Sequence, residues 1–195
     1  MKPRLLLSAL LLHAMLLTHG IAAARAGYET APYQQVREDG PFAVRDYPAL
    51  LVVETPAASA GGRSGFGRLF RFISGRNATG EKIAMTTPVL MDDQEGRATM
   101  AFVLPAALKP DRAPRPEDPT LSIREIPAGR FAVLRFSGGR GARNERAALD
   151  RLRTWLVSQR LASSSSPIFG YYDPPWVPTF LRRNEVMLRL DGVAP

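Results

Sequence analysis

Apolar and polar positions change period several times along the chain, and each change marks an element. Phe42-Ala-Val-Arg-Asp alternates as a strand, Tyr47-Pro48 interrupts it, and Leu50 to Thr55 is an apolar, β-branched run that reads as a second strand. Before them, Gly27 to Gly40 reads as an irregular lead-in ending in a turn at Asp39-Gly40-Pro41, and after them Pro56 to Gly65 is small and flexible in composition. Phe66, Leu69, Phe70 and Ile73 then fall at i, i+3, i+4 and i+7. This spacing predicts a helix with all four on one face and with Arg68 and Arg71 turned away. Gly75 ends the helix and Asn77 to Gly80 make a turn. Ile83, Met85 and Thr87 alternate with Ala84 and Thr86, which predicts a half-buried strand running into Pro88. Asp92 to Gly96 form a turn, and Thr99 to Leu104 return as a strand with Met100, Phe102 and Leu104 on one face.

From Pro105 to Pro119 there are five prolines in fifteen residues, an extended connector rather than an element. Beyond it the pattern restarts. Val44-Arg-Asp-Tyr-Pro-Ala49 is answered in kind by Ile123-Arg-Glu-Ile-Pro-Ala128 at an offset of 79, and an apolar strand follows each copy, Leu50 to Thr55 and Phe131 to Phe136. A glycine-rich turn at Gly138 to Gly141 leads into a helix from about Glu145 to Leu161, with Asn144 as the expected N-cap and Ala148, Leu149, Leu152, Trp155 and Leu156 as its buried stripe. Phe169 to Tyr172 and Glu185 to Leu190 read as a closing strand pair. The expected fold class is therefore α+β: two pseudo-symmetric β-α-β-β repeats, over about 41–104 and 120–191, whose strands form a distorted β-barrel or curled sheet flanked by two helices.

Composition narrows the chemistry. Lys2 and Arg4, an apolar run from Leu5 to Leu17, and the small-residue end Ala24-Arg25-Ala26 have the form of a secretory signal peptide over residues 1–26, with Ala24 as the alternative cleavage site. The apolar run is too short to span a bilayer, so a periplasmic or secreted protein of one domain, 27–195, is expected, with no stable membrane span. His13 and His19 both lie in that leader and there is no cysteine, so the mature chain has no Ser-His-Asp or Cys-His catalysis, no zinc site of the usual kind and no disulfides. Losing Lys2, Arg4 and Arg25 leaves 23 basic residues against 18 acidic, a net charge of +5. The charge is scattered, without basic stripes interleaved with stacking aromatics, so no nucleic acid partner is expected. A monomer is expected.

The first helix carries the densest candidate site. Arg63, Arg68, Arg71, Arg76 and Lys82 crowd one apolar element with no acidic residue before Glu81, and an apolar surface rimmed by cations suits a flat hydrophobic ligand bearing carboxylates. Ordinary core is the alternative account of Phe66, Leu69, Phe70 and Ile73. Pro174 and Pro175 stiffen the loop in which Trp176, Pro178 and Phe180 form an aromatic wall, and Arg182, Arg183 and Glu185 can form a structural ion-pair cluster. An enzyme in the same cleft would have to draw its acid or base from Glu81, Glu54 or Tyr172.

Gly80-Glu-Lys-Ile-Ala-Met-Thr-Thr-Pro-Val89, Gly170-Tyr-Tyr-Asp-Pro-Pro-Trp176 and Arg182-Arg-Asn-Glu-Val186, with the Tyr33 to Tyr47 lead-in and Leu69 to Gly75, together resemble the SOUL heme-binding protein family. The resemblance implies a distorted β-barrel with two helices and tetrapyrrole binding in a shallow apolar site along the first helix. It also relates the fold to bacterial effector-binding domains of the gyrase-inhibitor-like type, which bind small, mostly cationic or aromatic molecules. Projected onto this chain, heme or a related tetrapyrrole would meet Phe66, Leu69, Phe70, Ile73, Met85 and Trp176, with the five cations at its propionates. The expected role is non-catalytic buffering or transfer, with an enzyme or a binder of a non-porphyrin aromatic ligand as alternatives. Family members that ligate iron through histidine have no counterpart residue here. Weak or unusual donors such as Met85, Tyr47 or Tyr172 remain, and heme held without His or Cys ligation is the expectation.

Overall fold

The computed structural model describes residues 27–57, 65–94 and 97–192; the leader expected over 1–26 lies outside them. In chain order the strands are β1 (Glu29–Thr30), β2 (Gln34–Asp39), β3 (Phe42–Tyr47), β4 (Leu50–Pro56), β5 (Thr86–Thr87), β6 (Val89–Gln94), β7 (Arg97–Val103), β8 (Ser122–Ile126), β9 (Gly129–Phe136), β10 (Ile168–Tyr171) and β11 (Asn184–Arg189). Among the described residues the α-helices are α1 (Gly65–Ile73) and α2 (Ala142–Ser158). Nine strands form one antiparallel sheet in the order β2-β3-β9-β11-β10-β6-β7-β4-β8, and β1 pairs in parallel with β5 beside it. Strands from both halves of the chain are interleaved: β9 lies against β3 and β8 against β4.

Two proline corners force this sheet to curl. Pro48-Ala49 joins β3 to β4 and Pro127-Ala128 joins β8 to β9, yet each pair stands six strand positions apart in the sheet. A flat sheet would separate them by about 29 Å at the usual strand spacing, whereas two linking residues span at most about 11 Å between the strand-end Cα atoms. The sheet must bend back on itself to satisfy both links. It does not close: β2 and β8 are the terminal strands, so the barrel form of the expectation gives way to an open, curled sheet.

Alternation along the strands divides the core into three parts. Ala132, Leu134 and Phe136 of β9, Val186 and Leu188 of β11 and Val44 of β3 pack against Ala148, Leu152, Trp155 and Leu156 of α2. Val53, Met100, Phe102 and Leu104 receive Leu69, Phe72 and Ile73 of α1. The inner face of the curl holds Ala43, Tyr47, Val52, Leu90, Ala101, Val103, Phe131, Val133 and Met187.

Three expectations change. The lead-in is not irregular, since β2 pairs along β3 with a bulge between Gln35 and Arg37 and turns at Gly40, whose φ of +58° suits glycine. The strand expected over Ile83 to Thr87 shrinks to Thr86–Thr87, because Ile83 leaves the sheet to bond its N–H to the Ile73 carbonyl and close the end of α1. Finally, α2 begins at Ala142, with Gly141 as N-cap. Asn144 donates instead to the carbonyls of Ser137 and Gly139, and Glu145 reaches back to accept from the Gly141 N–H at 3.2 Å.

Candidate functional site on the first helix

Helix α1 is held at both ends by named contacts. At its start Gly65 passes so close to β4 that an added Cβ would lie 3.3 Å from the Pro56 carbonyl oxygen and from Thr55 Cγ2. At its end Gly75 takes φ +104°, with Arg76 N–H bonded to the Arg71 carbonyl and Gly75 N–H to that of Phe72, a Schellman cap. Asn77, nearly fully buried, locks the following turn: its Nδ2 donates to the carbonyls of Phe72 and Glu81, and its Oδ1 accepts from Thr79 and Glu81.

The buried face of α1 is not the expected one. Leu69, Phe72 and Ile73 enter the core, whereas Phe66 and Phe70 are 43% and 50% exposed. At 100° per residue the two phenylalanines lie together beyond one edge of the buried sector instead of filling it. Their rings are near parallel, 6.1 Å apart with an interplanar angle of 11°, and the Phe66 ring also meets Phe102 at 5.2 Å, tilted by 67°. The result is an outward aromatic ledge with one ring anchored in the core. Leu69 and Ile73 are therefore core residues, out of reach of a ligand on the surface. Phe72, which sequence periodicity passed over, fills a place in the core that Phe66 and Phe70 were expected to share.

Arg68 is also corrected. It is buried, donating from Nε to Thr55 Oγ1 at 3.0 Å and from Nη2 to the Pro56 carbonyl at 2.7 Å, so it ties α1 to β4 and cannot meet a propionate. Arg71 is half-buried and Arg76 and Lys82 are exposed, which leaves these three as described rim cations; Arg63 lies outside the described residues. Asp118 stands near the rim. Hydrogen bonds from Thr120, helped by the charges of Arg68 and Arg71, hold its carboxyl below the usual range. Met85 is half-buried against the α1 core cluster. Trp176 is 74% exposed in the loop between β10 and β11, and no ring contact joins it to Phe66 or Phe70 among the described residues.

A second constellation lies on the inner face of the curl. Glu185, fully buried, accepts from Arg45 Nη1 at 2.8 Å, Arg183 Nη2 at 2.7 Å and the Tyr172 hydroxyl at 2.8 Å. Arg45 also donates to the Tyr47 hydroxyl at 3.3 Å and stacks over the Tyr33 ring, and Arg183 stacks over Tyr172. Burial pushes the Glu185 carboxyl up, but the hydrogen bonds and charges of Arg45 and Arg183 outweigh it and hold it below its ordinary value. Burial also raises Tyr47, to about 12, and drives Tyr172 well above the ordinary phenol value. Of the ion-pair cluster expected at 182–185, Arg183 and Glu185 do pair, while Arg182 donates to the carbonyls of Val177 and Pro175. Arg45 was legible only as a charged residue on the same strand face as Ala43 and Tyr47.

The network occupies two of the three candidate iron donors, because the hydroxyls of Tyr47 and Tyr172 are buried and engaged. Its central carboxylate is paired with two guanidinium groups, those of Arg45 and Arg183. The acid-base candidates are dispersed: Glu54 is bonded by Arg124 at 2.7 Å, Glu81 is exposed at the turn after α1, and Tyr172 donates to Glu185. No group of three or more potential metal-ligating side chains occurs among the described residues. Nor is any described helix long and apolar enough to cross a membrane.

The fold is α+β, an open antiparallel sheet with two helices packed on it and two half-exposed aromatic rings on the first. The chain belongs to the SOUL heme-binding protein family, which it matches over residues 28–189. No curated protein matches it. Among solved structures it is similar to the EcmrR C-terminal domain, at 14% identity over 83% of this chain and 99% of that one, with a TM-score of 0.55. It is also similar to a hydrolase from Listeria innocua, at 6% identity over 80% of this chain and 94% of that one, with a TM-score of 0.53. At these identities the likeness is one of fold.

Proposed function

We propose that the protein binds heme or a related tetrapyrrole, without chemistry, on the ledge formed by Phe66 and Phe70, and that it buffers the ligand or passes it on in a periplasmic or extracellular space. The observation that carries the reading is the pair of parallel, half-exposed rings on a helix whose other large apolar residues are already in the core. A flat macrocycle can lie on such a surface, and Arg71, Arg76 and Lys82, the described cations of α1 and the turn after it that are left outside the core, are proposed to meet its carboxylates. The residues present fit a porphyrin face and propionates better than they fit an iron ligand; of the three candidate donors, Met85 is the one that packs beside α1.

Covering about 400 Å² of macrocycle supplies at most about 10 kcal/mol, and association costs several of these, so the affinity should be about micromolar. That suits exchange rather than permanent retention.

The two halves are proposed to be pseudo-symmetric repeats. The strand order supports this, since exchanging β3, β4, β6 and β7 with β8, β9, β10 and β11 reverses the eight-strand order onto itself and leaves β2 as the addition. An absorbance titration with hemin, metal-free protoporphyrin and a non-porphyrin aromatic cation tests the function. Saturable binding of both porphyrins and none of the cation is expected; binding of the cation alone would replace the reading.

A further inference from the structure

We propose that the cleft between α2 and the adjoining ends of β9 and β11 is a second binding site, for a small organic polyanion, separate from the α1 ledge. Asn144, Ala147, Ala148 and Arg151 lie at i, i+3, i+4 and i+7 and form one wall. The two alanines between longer side chains leave an open volume of about 470 Å³. Arg135, Phe136 and Ser137 at the end of β9, with Leu181, Arg182 and Arg183 before β11, make the other wall. Four arginines and no acidic residue line this space.

The charges there are poorly compensated. Arg182 is fixed by two neutral acceptors, the carbonyls of Val177 and Pro175, so its position is set and its charge is not neutralised. Arg183 shares the single carboxylate of Glu185 with Arg45. Arg135 and Arg151 are exposed and form no ion pair among the described residues. Four arginines around a cleft whose lining holds no acidic residue give it an excess of positive charge, and an oxyanion that accepts from their guanidinium groups offsets that charge and gains charge-assisted hydrogen bonds. The apolar part of the lining, Phe136, Ala148 and Leu181, suits an organic skeleton carrying the oxyanions. Phosphate and carboxylate share this chemistry, and separate probes distinguish them.

The test is calorimetric titration of the protein with pyrophosphate and with citrate at constant ionic strength, so that general screening does not change between points. One-to-one saturable binding of at least one probe is expected, and the tighter of the two identifies the oxyanion. Arg151→Gln and Arg135→Gln should each weaken it tenfold or more while leaving hemin binding unchanged. Arg153→Gln removes the same charge about 200° around the helix from Arg151 and should change nothing. Three results would overturn the proposal: no saturable binding of either probe, equal weakening by Arg153→Gln, or displacement of hemin by the bound anion. Unchanged far-ultraviolet circular dichroism shows that each variant is folded.

Discussion

Replacing Glu185 by glutamine should be among the most damaging single changes in the molecule, although it alters one atom type. The carboxylate is fully buried between Arg45, whose side chain is 4% exposed, and Arg183, at 24%. Glutamine keeps the shape and one acceptor oxygen but leaves the Arg45 charge buried without a counter-ion. Removing one partner of a buried ion pair typically costs about 3–5 kcal/mol. That is a large share of the roughly 5–15 kcal/mol by which a domain is stable. With a urea m value of about 2 kcal/mol/M, the unfolding midpoint should fall by about 1.5–2.5 M. The double variant Arg45→Met/Glu185→Gln should recover part of this loss, because the stranded charge is gone. A midpoint shift below about 0.3 M for Glu185→Gln would refute the claim that this network carries an uncompensated charge when its centre is neutralised.

The same network sets an acid limit: because the folded Glu185 carboxyl is held below its ordinary value of 4.5, its stabilisation is fully present above that pH and is lost as pH falls through the folded value. Glu185→Gln should therefore lose part of the steep acid limb in a plot of unfolding free energy against pH below about 4.5. Leu69→Ala, at a fully buried position, should cost about 2–5 kcal/mol in urea unfolding, whereas Phe70→Ala, half-exposed, should cost less than about 1 kcal/mol. Metal-free protoporphyrin should bind within about tenfold of hemin, a difference of about 1.4 kcal/mol, with Met85 as the substitution to make if hemin proves much tighter.

Elements were more legible in the sequence than their partners. Alternation located β3 and β7, continuous apolar runs located β4 and β9, and of the expected α2 stripe Ala148, Leu152, Trp155 and Leu156 are buried by the sheet with Leu149 partly so. The α1 face was misassigned for a physical reason: periodicity reports which residues share a face, not which face meets the sheet. Phe66, Leu69, Phe70 and Ile73 compete with Leu69, Phe72 and Ile73, and the hydrogen bonds of Arg68 to Thr55 and Pro56 accompany the second set. Arg68 therefore moved from expected rim to core. The pairing of Arg45 with Glu185, 140 residues apart, depends on β9 lying between β3 and β11, which alternation within single strands does not encode.

The central claim, that a tetrapyrrole rests on the exposed rings of α1, is tested most directly by the hemin affinity of Phe70→Ser measured beside the parent protein. Phe70 is half-exposed and stacks on Phe66, so its loss should spare the fold while removing one of the two rings of the ledge. Covering the exposed half of a phenyl ring is worth about 0.8–1.5 kcal/mol, so the account predicts hemin binding weakened by about four- to tenfold with an unchanged urea midpoint. Undiminished hemin affinity in a folded Phe70→Ser protein would contradict it and place the ligand elsewhere on the chain.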